Sequence, residues 1–435
     1  MTRSSFASVF AFAFAFAFAF ASPASAADPA PVPPLRAPLV FVSDPRLGME
    51  AGVRTFDSLG RIVFRYDEAI PPLVTFDESR TGGKIGAIIG RFAQYLFVDT
   101  AIASFDAVVI HEVFGHGARA RDLRQPAQFD FALPGIYCAI LGDGENCTSH
   151  AQVTGGSGSR ERDLLVNAGG VEANHLTGYW LDARMMQAKG WMHQGDLLLY
   201  GASKLAYANS LLSADLDRSG TMAGGDDVAN YVTNLQDRFN LEAAGDRIRI
   251  SRQLRTAYVW NLVDPMLFYA TYASLYRGVI RGERWTKAPL PTIGDVSLFA
   301  TPRFGLSPWG AEHYVDLFAS RDAQLLSVYG RVGSSGLASY TGAGVRVMGL
   351  RAGKRVTMGG ELDVWSQPET LLDDRAVYER PQIRGMNAGV TTDVRLYRNV
   401  GITTRVAYKT KGYLTGQPID EGFYGYFGVT IAFDR

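Results

Sequence analysis

Phe423-Tyr424-Gly425-Tyr426-Phe427-Gly428-Val429-Thr430-Ile431-Ala432-Phe433 alternates strictly in polarity. Phe423, Gly425, Phe427, Val429, Ile431 and Phe433 fall on one side of an extended chain, and Tyr424, Tyr426, Gly428, Thr430 and Ala432 on the other. Upstream, Ile402, Thr404, Val406 and Tyr408 alternate with Thr403, Arg405, Ala407 and Lys409, and Val390, Thr392, Val394 and Leu396 with Asp393 and Arg395. Similar runs occur near 295–301, 313–319, 324–332, 341–350 and 355–365. Residues 291–435 therefore read as an antiparallel β-barrel of about eight strands, each up to about 9–11 residues long.

Alternation does not say which face turns inward. A soluble barrel buries its apolar face, whereas a transmembrane barrel shows that face to lipid. The charges on the polar faces suit a lumen, which puts the membrane barrel ahead. The closing strand also resembles the terminal strand of outer-membrane proteins, although Asp434 and Arg435 follow its last aromatic residue.

The N-terminal end is compatible with that destination. Arg3 precedes a Phe/Ala run, Phe6 to Ala21, and Ala24-Ser25-Ala26 has the form of a leader-peptidase site. Residues 1–26 are read as a signal peptide and 27–38 as a Pro/Ala-rich linker. Export gives Cys138 and Cys147, which flank a Gly-rich loop, the expectation of a disulfide. The 43 basic and 43 acidic residues balance, so no global field favours nucleic acid. The 47 Gly, 25 Phe and 20 Tyr agree with a large β component. The fold class is α+β, with a mostly helical domain over 39–290 ahead of the barrel.

Within that domain, apolar residues recur at helical spacing from Ile85 to Ile110 and again from Leu164 to Leu176. Thr256 to Val279 reads as a helix pair broken at Pro265. The chemistry gathers at His111-Glu112-Val113-Phe114-Gly115-His116-Gly117. A step of five on a regular helix turns the second imidazole roughly 140° from the first, too far to share a metal. One π-helical turn absorbs the extra residue, and Gly115 is the position best able to allow it. Asp106 is a candidate acceptor for an imidazole N–H, or else an exposed carboxylate.

His111, Glu112, Gly115 and His116 resemble the His-Glu-x-x-Gly-His motif of the dipeptidyl peptidase III family, zinc aminodipeptidases whose zincin motif carries one inserted residue. The likeness is confined to these six residues. It implies zinc held by His111 and His116, with Glu112 as general base in peptide hydrolysis. The family takes its third ligand from a downstream Glu-Glu-x-x-Ala-Glu/Asp segment. Gly169-Gly170-Val171-Glu172-Ala173-Asn174-His175 is similar in setting but departs from that pattern. Glu172, His175 and His150 are the candidates for the third ligand, with Glu172 preferred.

A second motif spans 215–227. Asp215, Asp217, Ser219, Thr221 and Asp226 match the ligand positions of a calcium loop, with Gly220 at the turn. The run resembles EF-hand and dockerin loops, with Asp in place of the usual Glu at position twelve. Segments 202–214 and 227–239 have the helical periodicity such a loop needs.

The whole reads as an exported, envelope-associated zinc hydrolase acting on a peptide or protein, with outer-membrane association through the barrel. The competing reading is a non-enzymatic outer-membrane structural or binding protein whose helical domain is stabilised by calcium.

Overall fold

The chain is described from a computed structural model that covers residues 38–431 apart from 70–75, 133–136, 138–139, 141–148, 154–158, 219–225, 242, 335–338, 371 and 373–380. The leader, nearly all of the linker, and Cys138, Cys147, Ser219, Gly220 and Thr221 lie outside these residues. In order come β1 (Leu39–Ser43), α1 (Met49–Ala69), α2 (Thr81–Gln94), α3 (Thr100–Val109), α4 (Gly117–Asp122), β2 (Ala127–Asp130) and β3 (His150–Val153). They are followed by α5 (Arg160–Gln187), β4 (Trp191–His193), α6 (Gln194–Leu205), α7 (Ala208–Leu212), α8 (Asp227–Arg238), α9 (Ala244–Leu262) and α10 (Pro265–Tyr272). Next are β5 (Trp285–Lys287), β6 (Thr292–Ile293), β7 (Val296–Ser307), β8 (Gly310–Arg321), β9 (Gln324–Ser334) and β10 (Ser339–Arg351). The last four strands are β11 (Val356–Pro368), β12 (Gln382–Tyr397), β13 (Val400–Lys409) and β14 (Gly422–Ile431).

The C-terminal strands form an antiparallel meander, as their alternation predicts. They are not closed into a barrel among the described residues. The sheet is open and ten-stranded, in the order β1-β14-β13-β12-β11-β10-β9-β8-β7-β6. Its first strand comes from ahead of the helices: Leu39 to Ser43 pair with Ile431 to Phe427 of β14. The helical and β portions are thus interlaced.

Burial settles the direction of the faces. Val328, Leu362, Val364, Val390, Val406 and Phe427 are exposed, while Arg331, Glu312, Asp363, Asn387, Arg405 and Lys409 are buried. The sheet is inverted relative to a water-soluble one. Charge on the inner side is tolerated because it is paired. Arg331 Nη1 donates to Glu312 at 3.0 Å, and its Nη2 to Gln367 and to the Tyr413 carbonyl. Arg405 bridges Glu361 of β11 and Glu50 of α1. Lys409 donates to the carbonyls of Gly412 and Ile419.

Helix α5 runs along this inner face. Near its start, Arg162 donates to the Leu372 carbonyl in the β11–β12 connection. In its second half, Tyr179 donates to Ser327 of β9, and near its end the Met186 carbonyl accepts from Ser320 of β8. Helix α9 covers the other face of β7 and β8, with Tyr258 edge-on to Phe304 and Trp260 donating to the Tyr314 carbonyl. The helix pair broken at Pro265 forms as expected, with Asp264 capping α10 by accepting from the Met266 N–H.

Arg331→Met should cost about 3–5 kcal/mol, because it leaves Glu312 buried and uncompensated. Adding Glu312→Leu should recover most of that loss. Thermal unfolding of both variants checks this, and a double variant no more stable than the single one would contradict it.

Candidate metal centre

The His111–His116 stretch is helical throughout, but it is not a regular α-helix. After α3 the chain passes through a π-helical turn at Ile110–His116 and returns to α geometry in α4. The wider turn carries one additional residue, so both imidazoles come to the same side. The two rings stand edge to face with centroids 4.7 Å apart.

Glycine makes the site narrow. A Cβ on Gly115 would lie 2.7 Å from the Gly169 carbonyl oxygen, and one on Gly169 would lie 2.7 Å from the Gly115 carbonyl oxygen. A Cβ on Gly170 would fall 2.2 Å from the His111 ring. The π turn and α5 therefore touch backbone to backbone, and the His111 ring lies against the Gly170 Cα. Only residues without a side chain permit that approach.

The third member comes from α8. Nε2 of His111 is 3.0 Å from Nε2 of His116 and 3.0 Å from Oδ2 of Asp227. Nε2 of His116 is 3.1 Å from the same oxygen. Asp227 opens α8 immediately after its cap: Asp226 accepts from the Ala229 N–H at 2.9 Å and from Ser210 Oγ at 2.6 Å. With Asp226 fixed in this way, the next side chain faces the histidines.

Each imidazole is oriented through its other nitrogen. Nδ1 of His116 donates to the Val166 carbonyl at 2.6 Å, which leaves Nε2 as a lone-pair donor. Nδ1 of His111 is 2.6 Å from the Tyr207 hydroxyl. Burial, then the charges of Asp227 and Glu112, hold the Tyr207 phenol well above its ordinary range, so it stays protonated.

The metal-free electrostatics suit a cation. Burial disfavours the His116 imidazolium, but Asp227, Glu112 and the Val166 carbonyl outweigh it and hold the group at about 9. Burial would raise the Asp227 carboxyl, yet the two histidines keep it below the usual carboxylate range. The Asp227 carboxylate and the neighbouring Glu112 thus favour positive charge where the three ligand atoms converge. Tetrahedral zinc with bonds of about 2.0–2.1 Å separates its ligand atoms by roughly 3.3–3.4 Å. The observed triangle needs to open by only a few tenths of an ångström. His111, His116 and Asp227 could hold a metal ion, and they form the one such group among the described residues.

Glu112 stands beside this triangle, buried, with Oε1 3.9 Å from His111 Nε2. The site is not sealed, since Asp227 retains 25 % of its side-chain exposure.

Several sequence expectations are corrected. Glu172 is not in the group. It receives a two-pronged bond from Arg119 and the Gly416 N–H at 2.7 Å, so its charge is already consumed. His175 is bonded to the Phe304 carbonyl and faces Arg303, and burial followed by the arginine charge holds it well below its ordinary range. His150 lies on β3, half-exposed and 3.5 Å from Asp130. Asp106 is neither exposed nor bonded to an imidazole. It is buried against Gly60 of α1, and burial, then Asp57, raises it to about 7.

The calcium reading has no support from the described part of its loop. Asp217 is paired with Arg255, Asp226 caps α8, and Asp215 lies in a 3₁₀ turn spanning Ala214–Asp217. The segment ahead of it is broken into α6 and α7 rather than forming one helix. Asp227, the neighbour of the last supposed calcium ligand, is the residue the sequence reading missed, together with Tyr207.

The chain matches no protein-family model, no curated protein and no solved structure. The site therefore rests on its own geometry.

Asp227→Ala and His116→Ala should each lower metal affinity by at least about 100-fold, whereas Glu172→Gln should keep one metal per chain while reducing thermal stability. Metal analysis by mass spectrometry after dialysis decides this. Metal retained in Asp227→Ala would remove that residue from the centre.

Proposed function

We propose that the protein is an exported, envelope-associated zinc hydrolase that cleaves a peptide bond. The observation carrying this reading is the convergence of His111, His116 and Asp227 within about 3 Å of one another, with Glu112 adjoining. Two imidazoles and one carboxylate are the donor set zinc takes in a hydrolytic site, and three ligands leave a fourth position for water. The partial exposure of Asp227 favours a catalytic over a structural centre, because a structural zinc is closed by four protein ligands.

His111, His116 and Asp227 would hold the zinc, which would supply Lewis acidity and a water of near-neutral pKa. The chain's own residues do the rest. Glu112, next in sequence to the first ligand, accepts the proton from the attacking water and passes it to the leaving amine. Val166 fixes the tautomer of His116 through its carbonyl, and the Tyr207 hydroxyl holds the ring of His111. The preference for a peptide bond comes from the His-Glu-x-x-Gly-His pattern. Asp227 then fills the place for which Glu172 was expected.

Glu112→Gln preserves size and removes the base. It should lower kcat on a hydrolysed peptide by about 100- to 10,000-fold while leaving the zinc content at the parent value. Undiminished turnover by Glu112→Gln would remove the proposed mechanism. Zinc-loaded parent protein that cleaves no peptide in a mixed-sequence library would remove the substrate class.

A further inference from the structure

The inverted sheet needs a neighbour other than water. Outward side chains on β9 to β14 are mostly apolar, with Thr392 and Thr404 the paired polar residues in mid-strand on β12 and β13, and the next residue along mostly faces a buried interior that carries charge. In β11, Leu362 and Val364 are exposed, while Glu361, Asp363 and Gln367 turn inward. In β13, Val406 faces out at 61 % exposure beside Arg405 at 3 % of its side chain. A sheet in water has the opposite arrangement, because burying charge and exposing valine are both unfavourable. Lipid hydrocarbon reverses the preference.

The dimensions agree. From Val400 to Tyr408 the outer face of β13 extends about 26 Å along the strand, or roughly 20 Å across a layer if tilted by about 40°. That approaches the apolar band of about 25 Å on membrane barrels. Aromatic residues mark both limits: Tyr408 packs on Phe423 at 5.0 Å at one end, and Tyr397 is exposed at the other. Between them lies a shallow apolar hollow of about 480 Å³, lined by Val345, Val347, Met358, Leu362 and Val390, with room for acyl-chain segments.

The two ends of the sheet differ. At one end β6–β7, β8–β9, β10–β11 and β12–β13 are all joined by short turns, while at the other β7–β8 and β9–β10 are short and β11–β12 and β13–β14 are joined by longer connections. The short-turn end is basic. Arg351, Lys354, Arg355, Arg395 and Arg398 are exposed there, and Arg395 ties two turns together by donating to the Lys354 carbonyl. Asp322 in the neighbouring turn is already held by Lys189. Helix α5 places the metal centre, near Val166 and Gly170, towards the opposite end.

We propose that the outward face of β9–β14 is seated in the hydrocarbon of a phospholipid bilayer, with the basic turns at an anionic headgroup surface and the metal centre towards the other side. Basic residues at such a surface each contribute about 1 kcal/mol of attraction. The proposal is independent of zinc chemistry, so either can fail alone.

The test is flotation of the full mature chain with vesicles of neutral phosphatidylcholine, or of phosphatidylcholine containing phosphatidylglycerol. The parent should float with both, resist a high-salt wash, and insert more readily into the anionic vesicles. Val390→Arg with Val406→Arg should reduce the floated fraction about tenfold or more, while Val390→Leu with Val406→Leu should behave as the parent. Lys354→Glu with Arg355→Glu should remove the anionic preference and leave insertion into neutral vesicles intact. If the arginine pair does not fold, Val390→Trp gives an independent reading: bromines on the acyl chains should quench its added fluorescence. A parent that stays monomeric and soluble without detergent would overturn the proposal. So would a parent that self-associates through this face instead of floating, an arginine pair that floats undiminished, or a Val390→Trp indole that acyl-chain bromines leave unquenched.

Discussion

The contact of Gly115 with Gly169 and Gly170 sets the geometry of the molecule's centre. It lets the π turn and α5 meet at backbone distance, and both imidazoles are positioned from that meeting. His116 reaches the Val166 carbonyl one turn earlier on α5, and His111 lies against Gly170. A Cβ at Gly115 or Gly169 would meet the facing carbonyl oxygen at 2.7 Å, and one at Gly170 would meet the His111 ring at 2.2 Å, so something must shift at each position. The additional residue in the motif and the glycine pair on the facing helix therefore solve one problem together. The first brings the rings to one side, and the second gives them room.

Helix α5 carries that arrangement into the sheet. Beyond Gly170 its next turn supplies Glu172, which joins Arg119 and the Gly416 N–H, then His175, which meets Arg303 and the Phe304 carbonyl. Arg119 also donates to the Gln417 carbonyl in the β13–β14 connection. The buried charges form a set of short-range pairs that fix the helix against the inner face. Removing one partner from such a pair costs far more than the pair contributes, so these contacts give definition of position more than net stability. The candidate metal ligands inherit that definition, since the helix that orients His116 is held near its start and near its end.

Much of this was readable in the sequence. A metal shared across the five-residue step of His111–His116 required a bulge or a break at Gly115, and a π turn is present there. The alternation after Gly294 marked the C-terminal strands, because successive side chains of a strand point to opposite faces and these faces differ in polarity. What remained hidden depends on distance along the chain. Asp227 lies 116 residues from His111, and only the path of α6, α7 and α8 brings it back. Glu172 had the expected setting, but the sequence carried no sign that Arg119 would claim it. Strand β1 escaped detection because five residues paired to β14 leave no periodic signature beside the helix that follows. The direction of the sheet faces could not be read from a pattern that is symmetric under exchange of inside and outside.

His111, His116 and Asp227 could hold a metal ion, and the proposed function takes that ion to be zinc. X-ray absorption at the zinc edge of the zinc-loaded protein reads those ligands. The expected spectrum contains only nitrogen and oxygen neighbours at about 2.0–2.2 Å, with outer-shell scattering from two imidazole rings and one light-atom contribution lost in Asp227→Ala. A sulfur shell near about 2.3 Å, or a spectrum without imidazole scattering, would contradict it.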